Sequence, residues 1–257
     1  MRPTPNMIDL LLGAEMALGK ELGLKDEEAW APEYKRIYSQ TAERYDEAFF
    51  ASKDKVRLSF ALGIKATDGV IALKARDVAG LNDCAVQIEK LAELLEVPDR
   101  CVQRANRVKQ QANQRQWIAA FAELGRLQHE VVQYLDGEDE ETRGPSRKDD
   151  ALLIVMGGWL QGGRSFSRLI LDHYTDKSSN ILREPKLVEI LNDEVKAMKP
   201  DYLKKPLVQE MLKFMPEVHK RVDVDLYDPV PKPDVEWLHE NFSKIIESVR
   251  TLEKTEK

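Results

Sequence analysis

Asp149–Tyr174 reads DDALLIVMGGWLQGGRSFSRLILDHY, and how it folds decides the fold of the whole chain. Two readings compete. As a helix, it places Leu152, Val155, Trp159, Phe166, Ile170 and His173 on one face at helical spacing. Asp149 and Asp150 then sit at the N-terminus, where the macrodipole favours acids. Leu153 and Ile154 point elsewhere, so the first half is apolar all round and should be buried on every side. Gly158 and Gly162, four positions apart, would let a neighbouring helix approach closely. Arg164, Arg168 and Asp172 would form a polar stripe at i, i+4 and i+8.

As a strand and loop, Gly158–Ser165 nearly spells a phosphate-binding P-loop, in which backbone amides and a Lys hold phosphates. Here Arg164 stands at the Lys position, and Trp159 and Leu160 fill a loop that must curl around phosphate. No alternating strand–helix pattern surrounds it to build a parallel sheet. The helical reading is preferred, with this segment as the central helix of its domain.

The flanking sequence agrees. Helix formers such as Ala, Leu, Glu, Lys, Gln and Arg dominate, and aromatics are only 7%. Long β-branched alternations are missing. A helix is expected from near Thr4 or Asn6 to Gly23, and a second from Pro32 through Phe49. A third covers Asp54–Arg76, with Gly63 and Gly69 inside it, allowing either close backbone approach or a kink. Later helices are expected after Pro185, over Lys204–Arg221 with Pro216 ending it early, and over Asp234–Leu252. Asp225–Asp234 holds three prolines and reads as an extended connector.

Between these lies a spacing pattern. Leu81, Cys84, Ala85, Ile88, Leu91 and Leu95 recur 36 positions later as Trp117, Ala120, Phe121, Leu124, Leu127 and Val131. A shorter helix, Asp99–Asn113, separates them. The period resembles the tetratricopeptide class of helical hairpins, although the Trp, Gly, Tyr and Pro landmarks of that repeat are not in place. Two ordinary antiparallel hairpins in a bundle are the preferred explanation of the spacing. The expected fold is therefore all-α: nine or ten helices in stacked antiparallel hairpins, tetratricopeptide-like at most in the N-terminal half. Residues 138–150 are charged and contain Gly144 and Pro145. They divide an N-terminal hairpin region (1–137) from a C-terminal region (151–257), unless the two are continuous.

Composition limits function. At 257 residues, 42% hydrophobic and 33% charged, the chain can bury a sizeable core. Its net charge of −6 makes it a poor candidate for nonspecific nucleic-acid binding. No segment has the run of roughly 20 apolar residues that a membrane span needs. Cys84 and Cys101 sit too far apart on their helices for a disulfide. Free thiols suggest a reducing, cytoplasmic setting, or an exported one if a leader has been removed ahead of Met1.

No catalytic, cofactor or metal motif stands out. Glu236-x-x-His239 has the spacing used in di-iron helical bundles, but such sites need it twice. Two charged regions merit attention. Lys65 and Asp68 on one glycine-bearing helix, with Arg164, Arg168, Asp172 and His173 on the other, would border a groove if those helices cross. The alternative is a set of ordinary surface ion pairs. Arg100, Arg104, Arg107, Lys109 and Arg115 form a basic face that would dock phosphate or RNA unless an adjacent helix supplies acids. The leading expectation is a noncatalytic interaction or scaffold domain with a protein or peptide partner. A small-molecule-binding protein or enzyme using the Arg164/Asp172 region comes second, and phosphate or RNA binding through Arg100–Arg115 third.

Overall fold

The computed structural model describes residues 19, 24–137, 146–225 and 228–251. Among them there is no strand, and the fold is all-α. The helices are α1 (Glu27–Thr41), α2 (Glu47–Ala51), α3 (Lys55–Lys74), α4 (Val78–Leu94), α5 (Asp99–Asn113), α6 (Trp117–Asp136), α7 (Lys148–Asp172), α8 (Asp176–Ser179), α9 (Pro185–Lys196), α10 (Pro200–Leu203), α11 (Pro206–Val222) and α12 (Lys232–Arg250). A 3-10 turn, Asn180–Leu182, follows α8. The expected first helix, up to Gly23, lies almost wholly outside the described residues, as does most of the 138–150 loop.

Short side chains start several helices. Asp26, Asp46, Asp54 and Asp77 each accept a hydrogen bond from a backbone amide in the following first turn, satisfying donors that helix geometry leaves free. The three hairpins from α3 to α6 close with one turn used three times. The amides of Asp77, Val97 and Gln116 reach back five residues to the carbonyls of Ala72, Ala92 and Gln111. Arg76, Glu96 and Arg115 hold the left-handed position of each turn, with φ of 52°, 56° and 57°. This is a Schellman closure built without glycine.

The segment that decides the fold is one unbroken helix of 25 residues, α7, and it is central. It packs against α3, α12, α6 and α1. Every residue of α3 from Val56 to Leu73 is buried. The two helices touch backbone to backbone. A Cβ on Gly63 would lie 1.9 Å from the Ile154 carbonyl oxygen, and one on Gly157 would lie 2.1 Å from that of Phe60. The close approach thus runs through Gly63 and Gly157, and of the expected Gly158 and Gly162 pair Gly158 joins it, its backbone nitrogen lying 2.7 Å from where a Gly63 Cβ would be. Gly163 serves a second neighbour, since a Cβ there would lie 2.4 Å from the Phe242 ring of α12.

Around this pair, α4, α5 and α6 follow one another on one side, with α6 returning to both α3 and α7. On the other side α9, α11 and α12 pack together and onto α7, while α1 lies across α3 and α7. One apolar cluster runs from Trp30 to Val249, crossing the 138–150 loop without a break.

Two prolines behave differently from expectation. Pro32 lies inside α1, which Asp26 caps two turns earlier, and the expected single helix to Phe49 is broken after Thr41. Pro216 does not end α11, which continues to Val222. Met211, Phe214, Met215 and Val218 are buried on either side of it. Their packing outweighs the roughly 3 kcal/mol an interior proline costs.

Candidate functional site

After Thr41 the chain leaves helical geometry, and beyond the Ala42 amide, which still reaches the Tyr38 carbonyl, the backbone up to Tyr45 has no helical partners. Side chains one turn apart on the two central helices take over. From α3, the Lys65 ammonium donates to the Glu43 carbonyl at 2.7 Å and to Asp68 Oδ2 at 3.1 Å. Asp68 accepts from the Glu43 amide at 2.9 Å. From α7, Gln161 Nε2 donates to the Thr41 carbonyl at 2.9 Å and to Asp68. Arg164 donates to Glu43 Oε1 at 2.7 Å and to the Thr41 carbonyl. From α4, Gln87 Oε1 accepts from the Tyr45 amide at 3.1 Å.

Two acids and two bases thus cancel inside the protein. Lys65 and Asp68 are fully buried and Arg164 is 7% exposed. Burial acts to lower the Lys65 pKa, but the Asp68 carboxylate outweighs it and holds the ammonium above the usual lysine range. Nearby, burial pushes the Cys84 thiol up to about 11, with Tyr38 Oη 3.4 Å from its sulfur. In these protonation states neither Lys65 nor Cys84 is a nucleophile near neutral pH. The arrangement holds a loop in place.

The other three expected site residues form a separate, partly exposed chain between α1 and α7. Arg168 donates to Asp172 at 2.6 Å, and Asp172 also pairs with Arg36. Arg36 in turn reaches Glu33 at 2.7 Å, and His173 Nε2 lies 3.1 Å from the same carboxylate. Burial acts to raise the Glu33 pKa, but Arg36 and His173 hold it below the ordinary 4.5. The helices therefore cross as expected, but the expected groove bordered by Lys65, Asp68, Arg164, Arg168, Asp172 and His173 is not formed. Each fourth helical residue is displaced by about 40° around the axis. That turn carries Arg164 under the loop after Thr41 and leaves Arg168 and Asp172 at the rim. Arg164 is no surface ion pair either.

Arg104, Arg107 and Lys109 of the basic face are matched by acids. Arg104 donates to Glu123 at 2.8 Å and to Glu130 at 2.6 Å, Arg107 to Glu123 at 3.2 Å, and Lys109 to Glu89 at 2.9 Å. Hydrogen bonding to Arg104 holds Glu130 below its ordinary 4.5. The P-loop reading also fails geometrically, because Gly158–Ser165 is buried helix. Glu236 is exposed, while His239 Nδ1 lies 3.1 Å from the Arg164 carbonyl. Among the described residues no group of three or more His, Cys, Asp or Glu is placed to hold a metal. No helix among them is long and apolar enough to cross a membrane.

The start of α6 is different. Ile118 is 83% exposed, and Trp117 and Phe121, one turn apart, are only partly buried beside it. Lys74 Nζ stands 5.7 Å from the centre of the Phe121 ring.

The class these observations define is an all-α protein of stacked helical hairpins with a buried ionic pin at its centre. No protein-family model, no curated protein and no solved structure matches the chain.

Proposed function

We propose that the chain is a noncatalytic helical interaction domain that binds a protein or peptide through the apolar edge at the start of α6. One observation carries this reading. Ile118 projects an aliphatic side chain into solvent to one side of two half-covered aromatics, Trp117 and Phe121. Aromatic side chains beside an exposed aliphatic anchor are the composition from which binding hot spots are built. The ionic networks support the same role, because they are spent on holding the frame rigid, and a preorganised frame lowers the ordering cost of binding.

The test is selection from a random peptide library, followed by calorimetry with Ile118→Asp beside the parent chain. Peptides with apolar anchors should bind the parent and lose at least about tenfold in affinity against Ile118→Asp, whose thermal unfolding should be unchanged. Binding that ignores the substitution would sink the reading.

A further inference from the structure

We propose a second binding site, independent of the α6 edge: an apolar cavity between α7, α9, α11 and α12 that takes the slender aliphatic part of a neutral or cationic small molecule. The cavity measures about 80 Å³. Trp159 and Phe166 of α7, Val188 of α9, Val222 of α11 and Phe242 of α12 form its walls.

These walls are stiff. Phe242 meets Trp159 edge to face at 5.1 Å and Phe214 at 5.3 Å, and Phe214 stacks on Trp237. The two adjacent glycines of α7 have different tasks here. Gly163 seats the Phe242 ring and fixes the distance between α7 and α12. Gly162, 100° further round the helix, contributes only backbone to the cavity wall.

The cover is a different kind of structure. Ile181 and Leu182 belong to the 3-10 turn after the four-residue α8. Both are partly buried, and both line the cavity. A short turn is cheaper to displace than a packed helix, so this segment is the entrance.

Size and charge set the ligand class. A cavity of roughly 150 Å³ accepts a benzene ring and one water needs about 10–15 Å³. The present space is about half of the first, so it takes only the last few carbons of an alkyl chain and is too small for a ring. Glu184, exposed at the mouth, is the one ionisable residue that lines the cavity. Its carboxylate repels a fatty-acid headgroup and tolerates an alcohol or an ammonium.

The experiment is methyl NMR of the full chain, titrated separately with 1-hexanol, hexylamine and hexanoate. Saturable shifts are expected from hexanol and hexylamine, confined to Leu182, Leu187, Val188, Val218, Val222 and Leu238. Hexanoate should bind about threefold more weakly at low salt, since its headgroup would lie near the exposed carboxylate of Glu184. Val188→Phe, which puts a ring into the space, should abolish the shifts while keeping a dispersed spectrum. If that variant does not fold, Gly162→Ala should weaken binding about threefold by narrowing the cavity. Shifts that do not saturate, that spread over the surface, that are equal for hexanoate, or that survive the filling substitutions overturn the proposal. None of these outcomes depends on Ile118.

Discussion

Gly63 and Gly157 stand at one crossing, where the backbones of α3 and α7 meet with no side chain between them. Neither position has room for a methyl group, and the obstruction in each case is a carbonyl oxygen of the other helix. Gly63→Ala should therefore destabilise the protein even though alanine is the better helix former. We expect a loss of about 3 kcal/mol, at the upper end of overpacking costs, read as a lower urea midpoint. An unchanged midpoint would show that the crossing can widen freely.

The two arginines one turn apart on α7 should separate cleanly. Arg164→Ala leaves Glu43 buried without its partner, at a cost of about 3 kcal/mol. Arg168→Ala removes a partly exposed pair with Asp172 and should cost less than about 1 kcal/mol. Chemical denaturation of both variants measures the contrast. Equal effects would contradict the inward setting of Arg164.

Arg115 holds a left-handed conformation that L-residues adopt at a cost of about 1–2 kcal/mol. Arg115→Gly should remove that cost while adding some freedom to the unfolded chain. A net gain of about 0.5–1 kcal/mol is expected, visible as a rise in Tm. Glu96→Gly and Arg76→Gly should gain less, because they also remove pairs with Lys55 and Glu28.

Acid should act on the α5–α6 pair. The folded pKa of Glu130 lies below its ordinary 4.5, held there by Arg104, so its contribution is complete above 4.5. It is lost as pH falls through the folded value. Glu123 shifts the same way, with Arg104 outweighing the burial that opposes it. Glu130→Gln should cost about 1 kcal/mol at neutral pH and flatten the fall of stability below about pH 4.5. A parent-like acid profile for this variant would rule out the Arg104 pairing.

Much of this architecture was written in local spacing. The apolar residues of α7 recur once per turn, so its helix was legible from Leu152 to Ile170. The free, buried state of Cys84 and Cys101 followed from their positions on α4 and α5. The balancing acids of the basic face were anticipated in kind, though not as Glu89, Glu123 and Glu130 in particular. What escaped was set by tertiary contact. Pro216 carries a local signal to stop that buried neighbours override. Gly157 and Gly158 are equivalent by pattern, and only the rotation of α7 against α3 selects between them. The loop pin was half visible. Lys65, Asp68 and Arg164 stand out in the sequence as charges on glycine-bearing helices, and Gln161 is a further cue, being polar in an apolar stretch. Glu43 and the carbonyl of Thr41 gave none, since an irregular segment has no periodicity to show which way it faces.

The pin at the helix crossing also bears on how the chain folds. Asp68 and Gln161 are 93 positions apart, whereas the turns linking α3 to α6 join residues five apart. The hairpins can therefore assemble early and locally, but the central contact must wait for a long excursion of chain to close. Such non-local closure slows folding relative to helical bundles built from neighbours alone. During synthesis, α3 emerges well before α7, and the apolar residues and the Lys65–Asp68 pair that α7 will cover must wait until that helix arrives.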